Sequence, residues 1–101
     1  MILVRDVFRA RFGKGGEAVA VLKEGVGLIR RLGASRGGEP RLLTDFAGPF
    51  FTMVLETTHA SLAEYEQGLK DLTASAEFPA WYATVVPVME GGHREVLEVL
   101  Q

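Results

Sequence analysis

Cysteine is absent from the 101 residues, which excludes disulfides, thiolate metal sites and cysteine nucleophiles and fits a reducing compartment. Long apolar runs are absent too. Only four residues, Met1 to Val4, precede the first charges at Arg5 and Asp6, too few for the apolar core of a signal peptide. No later run approaches the ~18 residues of a membrane span. The expectation is a cytoplasmic protein that does not enter a membrane. Histidine is scarce: His59 and His93 have no ligand-like spacing, and no H-E-x-x-H or Asp-rich loop accompanies them. No metal and no other cofactor is therefore expected, and His59 reads as a partly exposed residue at a strand-to-helix junction.

Other chemistries lack their patterns. Gly13-Lys14-Gly15-Gly16 precedes a helix but lacks the G-x-x-x-x-G-K-[ST] spacing of a phosphate cradle, and reads as a flexible turn. Ser35, Ser61 and Ser75 lie near helix ends, and none stands in a G-x-S-x-G elbow. The net charge of −2 hides an asymmetry. Residues 1–50 hold nine Lys/Arg against five Asp/Glu, while residues 51–101 hold two against eight, so the halves should attract each other. Arg30, Arg31 and the triplet Arg36-Gly37-Gly38 concentrate positive charge without aromatic or motif support, so nucleic acid is not an expected partner.

What is present fits one globular domain spanning residues 1–101. With 48% apolar residues, the chain is slightly rich in apolar side chains for its size, and some of that surface calls for a partner. Residues 2–12 alternate, with Ile2, Val4, Asp6, Phe8, Ala10 and Phe12 on one side and Leu3, Arg5, Val7, Arg9 and Arg11 on the other, which predicts a strand. Ala18, Leu22, Val26, Ile29 and Leu32 recur at steps of three and four and predict a helix. Gly25 and Gly27 weaken that helix, so a packing reason is expected, and Gly33 with Gly37-Gly38 ends it.

Residues 39–46 and 50–58 predict a hairpin turning at Ala47-Gly48-Pro49. Ser61-Leu62-Ala63-Glu64 is a capping box that opens a second helix close to residue 62, with Leu62, Tyr65, Leu69 and Leu72 as its stripe. Pro79 suits a first helical turn and Pro87 cannot sit inside a helix, so the stretch between them predicts a separate short helix. Gly91-Gly92 then releases a last strand over roughly residues 93–100. The order β-α-β-β-α-β, with one extra helix, is the split βαβ of an α+β, ferredoxin-like domain: an antiparallel four-stranded sheet with both main helices on one face.

The run Gly48-Pro49-Phe50 entering a strand, Leu55-Glu56 before a helix at Ser61-Leu62, and the segment Glu77-Phe78-Pro79-Ala80-Trp81 resemble NIPSNAP-like members of the dimeric α+β-barrel superfamily. In those proteins the turn commonly continues into an asparagine, a place taken here by Phe51. The resemblance implies a homodimer whose sheets face each other around a cavity, in a superfamily that includes cofactor-independent monooxygenases, haem-degrading enzymes and members of unknown role.

Asp6 interrupts the apolar row of a central strand, so it must be paired, for example with Arg41, or face a cavity as a carboxylate of raised pKa able to take a proton from a phenol or enol. Arg5 and Arg9 lie on the opposite row and would favour an anion if that row faced the cavity. The patch "FPAWYATVVPVM" reads as a docked amphipathic helix in which Trp81 or Tyr82 could reach a cavity rim. The expected function is binding of a small, largely apolar ligand between the sheets, touched by Trp81, Tyr82, Phe51 and Met53. The alternative is a cofactor-independent monooxygenase or isomerase acting on a small aromatic or enolic substrate, with Asp6, Arg5 and His93 as the candidate catalytic groups.

Overall fold

The computed structural model describes residues 1–32 and 39–101. Gly33, Ser35 and the Arg36-Gly37-Gly38 triplet lie outside the described residues. The elements are β1 (Ile2–Ala10), α1 (Gly15–Arg31), β2 (Arg41–Thr44), β3 (Thr52–His59), α2 (Leu62–Ala74), α3 (Phe78–Val85), a 3₁₀ turn (Val86–Val88) and β4 (Met89–Glu98). The four strands form one antiparallel sheet in the order β2-β3-β1-β4, the ferredoxin-like arrangement.

The rows of β1 separate cleanly. Val4 and Ala10 are buried, and Ala10 with Phe8 packs into a core formed with Ala18 and Leu22 of α1, Met53 of β3 and Val85, Val88 and Met89. The helices therefore cover the row of Ile2, Val4, Asp6 and Phe8. Register carries this face across the sheet to Leu42, to Leu55 and Thr57, and to Arg94 and Val96. The open face takes the other row: Leu3, Arg5, Val7 and Arg9, with Arg41, Leu43, Val54, Glu56, His93, Glu95 and Leu97 beside them.

Attraction between the oppositely charged halves is realised mainly on the open face. Arg5 reaches Glu56 at 3.3 Å and Glu95 at 3.1 Å, while Arg41 meets Glu56 at 2.7 Å. These pairs make a row of alternating charge across all four strands, with His93 Nε2 3.4 Å from Glu95 beside it. Arg30 pairs with Glu39, and Arg31 with Glu77 at 2.8 Å, so both helix-end arginines are engaged within the chain.

Several boundaries differ from the sequence expectation, each for a local reason. The first strand stops at Ala10, because Gly13 turns the chain with φ 86° into α1. The hairpin strands are shorter than expected, since Asp45 accepts a hydrogen bond from Thr52 N at 3.0 Å and closes the turn around residues 46–51. The last strand begins at Met89 rather than 93, with Gly91 and Gly92 inside it, opposite Arg9 and Phe8. A Cβ on Gly92 would stand 2.5 Å from the Val7 carbonyl oxygen, so this glycine permits close strand approach rather than releasing the chain.

Ser61 Oγ caps α2 by accepting from Glu64 N at 3.2 Å, yet Leu62 is exposed, and the inward stripe runs through the half-buried Tyr65, Leu69 and Leu72 around the buried Gly68. Phe51 has φ 61°, the left-handed region that costs an ordinary residue about 1 kcal/mol and that asparagine tolerates well. An asparagine at this turn position thus has a conformational explanation. Here the ring is held instead by an edge contact with Phe12 at 5.2 Å and by packing over Gly15.

Candidate functional site

A cavity of about 200 Å³ lies between the helix-covered face of the sheet and the three helices. Its floor is Asp6, Phe8, Leu55, Thr57, His59 and Arg94, while α1 contributes Gly25 and Ile29 and α2 contributes Tyr65, Gly68, Leu69 and Leu72. Phe78, Trp81, Tyr82 and Val85 of α3 close the remaining side. Most of this wall is aromatic or aliphatic.

Trp81 owes its place to the sequence of α1. Its indole Nε1 donates to the Val21 carbonyl at 2.9 Å, and its ring lies against Gly25, where a Cβ would approach Cζ2 to 2.5 Å. The packing reason expected for Gly25 is therefore the indole. Gly27 meets no such neighbour, since a Cβ there would find only the end of Arg31 at 3.7 Å. Phe78 stacks on Tyr82 at 5.7 Å, which leaves Tyr82 half exposed at the outer edge of the cavity.

Polar groups gather at the other end. Asp6 is held by Arg94, Nε to Oδ1 at 2.5 Å and the second guanidinium nitrogen to Oδ2 at 3.4 Å, a two-pronged pair of the kind that fixes geometry as well as charge. Arg41, the partner suggested from sequence, sits on the opposite face with Glu56, because β2 meets β3 in a register that turns it away. The Arg94 guanidinium also stands 5.7 Å from the centre of the Tyr65 ring. Burial pushes the Tyr65 hydroxyl above its ordinary value, with the Arg94 charge opposing this and Asp6 adding to it. Both the charge of Arg94 and a loose hydrogen bond from it favour the phenolate, although Tyr65 Oη makes no hydrogen bond of ordinary geometry.

His59 is only 2% exposed, not the loop residue expected, because the alternation Met53, Leu55, Thr57, His59 places it on the helix-covered face. Its Nε2 lies 2.9 Å from Thr57 Oγ1, its Nδ1 is buried without a partner, and its ring meets Tyr65 edge to face at 5.1 Å. Burial lowers its pKa below 6.5, with Glu64 pulling weakly the other way. A histidine kept neutral by the fold leaves stability intact above about 6.5 and withdraws it as pH falls, since the unfolded chain then takes up the proton more readily. Acid denaturation followed by circular dichroism should show a steeper loss below pH 6.5 for the natural chain than for His59→Gln.

Of the residues singled out from sequence, Asp6, Trp81 and Tyr82 come together in this cavity. Arg5 and His93 lie on the open face, separated from it by the sheet. Met53 is buried in the core beneath α1, and Phe51 belongs to the turn that packs on Phe12 and Gly15. The residues that sequence reasoning missed are Thr57, His59, Tyr65 and Arg94. Among the described residues, no three histidine, aspartate or glutamate side chains converge as a metal site would need.

No family model matches the chain, and no curated protein is significantly similar to it. Solved structures are. A NIPSNAP domain protein from Burkholderia xenovorans superposes with a TM-score of 0.82 at 19% identity, over 98% of this chain and 94% of its own. A NIPSNAP family protein from Agrobacterium tumefaciens gives 0.84 at 18%, over 96% and 90%. The fold is NIPSNAP-like. SnoaB, a cofactor-independent oxygenase from Streptomyces nogalater, superposes with 0.73 at 13%, over 99% and 93%, so that protein shares the fold. The resemblance carried by residues 48–50, 55–56, 61–62 and 77–81 is thus met at the level of the fold. Among the described residues, no helix of the chain is long and apolar enough to cross a membrane.

Proposed function

We propose that this chain, as one domain, is a NIPSNAP-like homodimer that binds a small, largely apolar molecule in the cavity between the sheet and its helices. The observation that carries this reading is the cavity itself: about 200 Å³, walled by Phe8, Leu55, Leu69, Phe78 and Trp81, with polar groups confined to one end. A cavity of about 150 Å³ with such walls holds benzene, so a single substituted ring or its aliphatic equivalent suits the space. On this reading the ligand lies under the helices and not between two sheets, because the cavity is lined from the row bearing Asp6, which the helices cover.

Trp81, the sole tryptophan, forms part of the wall and reports on occupancy. Titration with toluene or 4-methylphenol should change its fluorescence saturably, with dissociation constants around or below the millimolar range. Leu69→Phe, which fills the space, should abolish the response. A flat titration, or one that Leu69→Phe leaves unaltered, would remove the cavity as the binding site.

A second reading is a cofactor-independent oxygenase or isomerase acting on a small aromatic or enolic substrate. It is supported by the fold shared with SnoaB and by the Asp6–Arg94 pair at the polar end. Both oxygens of Asp6 are held by Arg94, which makes the carboxylate an anchor for the guanidinium. Oxygen uptake with an activated phenol would favour this reading over simple binding.

A further inference from the structure

The cavity is not sealed. Of the residues that line it, only Tyr82 and Arg94 are exposed, Tyr82 at its aromatic end and Arg94 at its polar end. Both also border a second, more open hollow of about 520 Å³ between α3 and the edge strand β4, and Asp6, Phe8 and Val85 are common to the two spaces. The hollow has its origin in the sequence. Gly92 pairs with Phe8 of the covered row, so at that register β4 carries no side chain towards the helices and the space stays open. Tyr82 and Val86, four residues apart and each more than half exposed, form its opposite wall.

We infer that cavity and hollow are two parts of one binding site, joined by a mouth between Tyr82 and Arg94, and that the ligand is an elongated amphiphile. Its apolar ring lies inside, and a chain of several carbons leaves through the mouth along Val86 with its polar end in water. The inference rests on the cavity reading above and narrows it to a ligand class. Size requires the projection: about 200 Å³ holds little more than one ring, so any longer molecule must extend through the mouth. Polarity favours it, because a chain lying on Tyr82 and Val86 removes from water apolar surface that the fold leaves bare. Charge permits it. Asp6 and Arg94, which flank the mouth, are paired with each other, so a neutral chain passes without leaving either charge alone.

Two alcohols test the assignment, each titrated with Trp81 fluorescence as the readout. Phenylmethanol and 5-phenylpentan-1-ol carry the same ring and hydroxyl and differ only in the length of the chain between them. The longer compound should bind roughly ten- to fiftyfold more tightly, since each added methylene, partly covered in the hollow, contributes about twofold or more. Val86→Asp should cut that ratio to about threefold or less, while phenylmethanol and toluene bind as before, because Val86 borders the hollow and not the cavity. Val86→Ser should shift the ratio in the same direction by less, and serves if the aspartate disturbs the turn. Equal or weaker binding of the longer alcohol to the natural chain would overturn the elongated ligand and leave the cavity reading standing. A ratio that both variants preserve would overturn the path along Val86. Failure of every compound to bind would overturn the cavity reading and this inference with it.

Discussion

Trp81→Ala is expected to lower the unfolding free energy by about 2–4 kcal/mol, the range for removing a large aromatic side chain that is mostly but not wholly buried. The ring joins α3 to α1, beside the buried Val85 of the same helix. It lies on Gly25 of α1 and its N–H is bound to the Val21 carbonyl, while within α3 it packs tilted on Phe78 with ring centres 5.8 Å apart. Without it, α3 loses its dock and the cavity loses a wall, so a domain of this size should melt lower by roughly ten to twenty degrees. Denaturant unfolding followed by circular dichroism measures the loss, and a value under about 1 kcal/mol would show that α3 holds its place by other contacts. Gly25 provides the cross-check. In the natural chain Gly25→Ala should destabilise, because its methyl group overlaps the indole. In the Trp81→Ala background the same change should become neutral or stabilise by up to about 1 kcal/mol, the ordinary advantage of alanine over glycine in a helix.

This pair shows what the sequence made legible. A glycine at position 25, in a helix whose apolar stripe was otherwise regular, marked a place where something large comes close. The alternation of β1 located the carboxylate of Asp6 on a central strand and required it to be paired or to face a cavity. Both conditions hold, since it is paired with Arg94 and lines the cavity. What alternation could not decide was which row the helices cover, because each row of β1 has apolar members: Leu3 and Val7 on one, Ile2, Val4 and Phe8 on the other. That choice is settled by the packing of α1 and α3 on Phe8, Ala10 and Met53, a contact between distant segments. Arg94 was hidden for the same reason, as its partnership with Asp6 depends on the β1–β4 register. His59 was within reach. Met53, Leu55, Thr57 and His59 keep a period of two, and extending the hairpin strand by one residue would have carried His59 into the covered row.

Assembly is the second large effect. The chain is expected to scatter light as a particle of twice its 11.0 kDa mass at micromolar concentration, with the open faces of two sheets in contact. That face is banded. Leu43, Val54 and Val7 form one apolar row across β2, β3 and β1, the charged row of Arg41, Glu56, Arg5 and Glu95 follows, and Leu3 with Leu97 begins another apolar row. Leu43 and Leu97 are each at least 40% exposed, so the apolar rows are not covered within the chain. Burying them between two copies at about 25 cal/mol per Å² repays association once more than about 1,200 Å² is covered in total. The charges between the rows are neutralised within each chain, with the Glu56 side chain only 12% exposed, so they enter the interface already paired. High salt should therefore leave the dimer intact. Val54→Lys should not, because two-fold symmetry places two unpaired ammonium groups in the apolar row, each costing several kcal/mol to desolvate. The variant is expected at 11.0 kDa with its circular dichroism unchanged, since Val54 faces away from the core. A natural chain that scatters as a monomer would overturn the facing-sheet dimer outright, and a Val54→Lys dimer would move the interface to another surface.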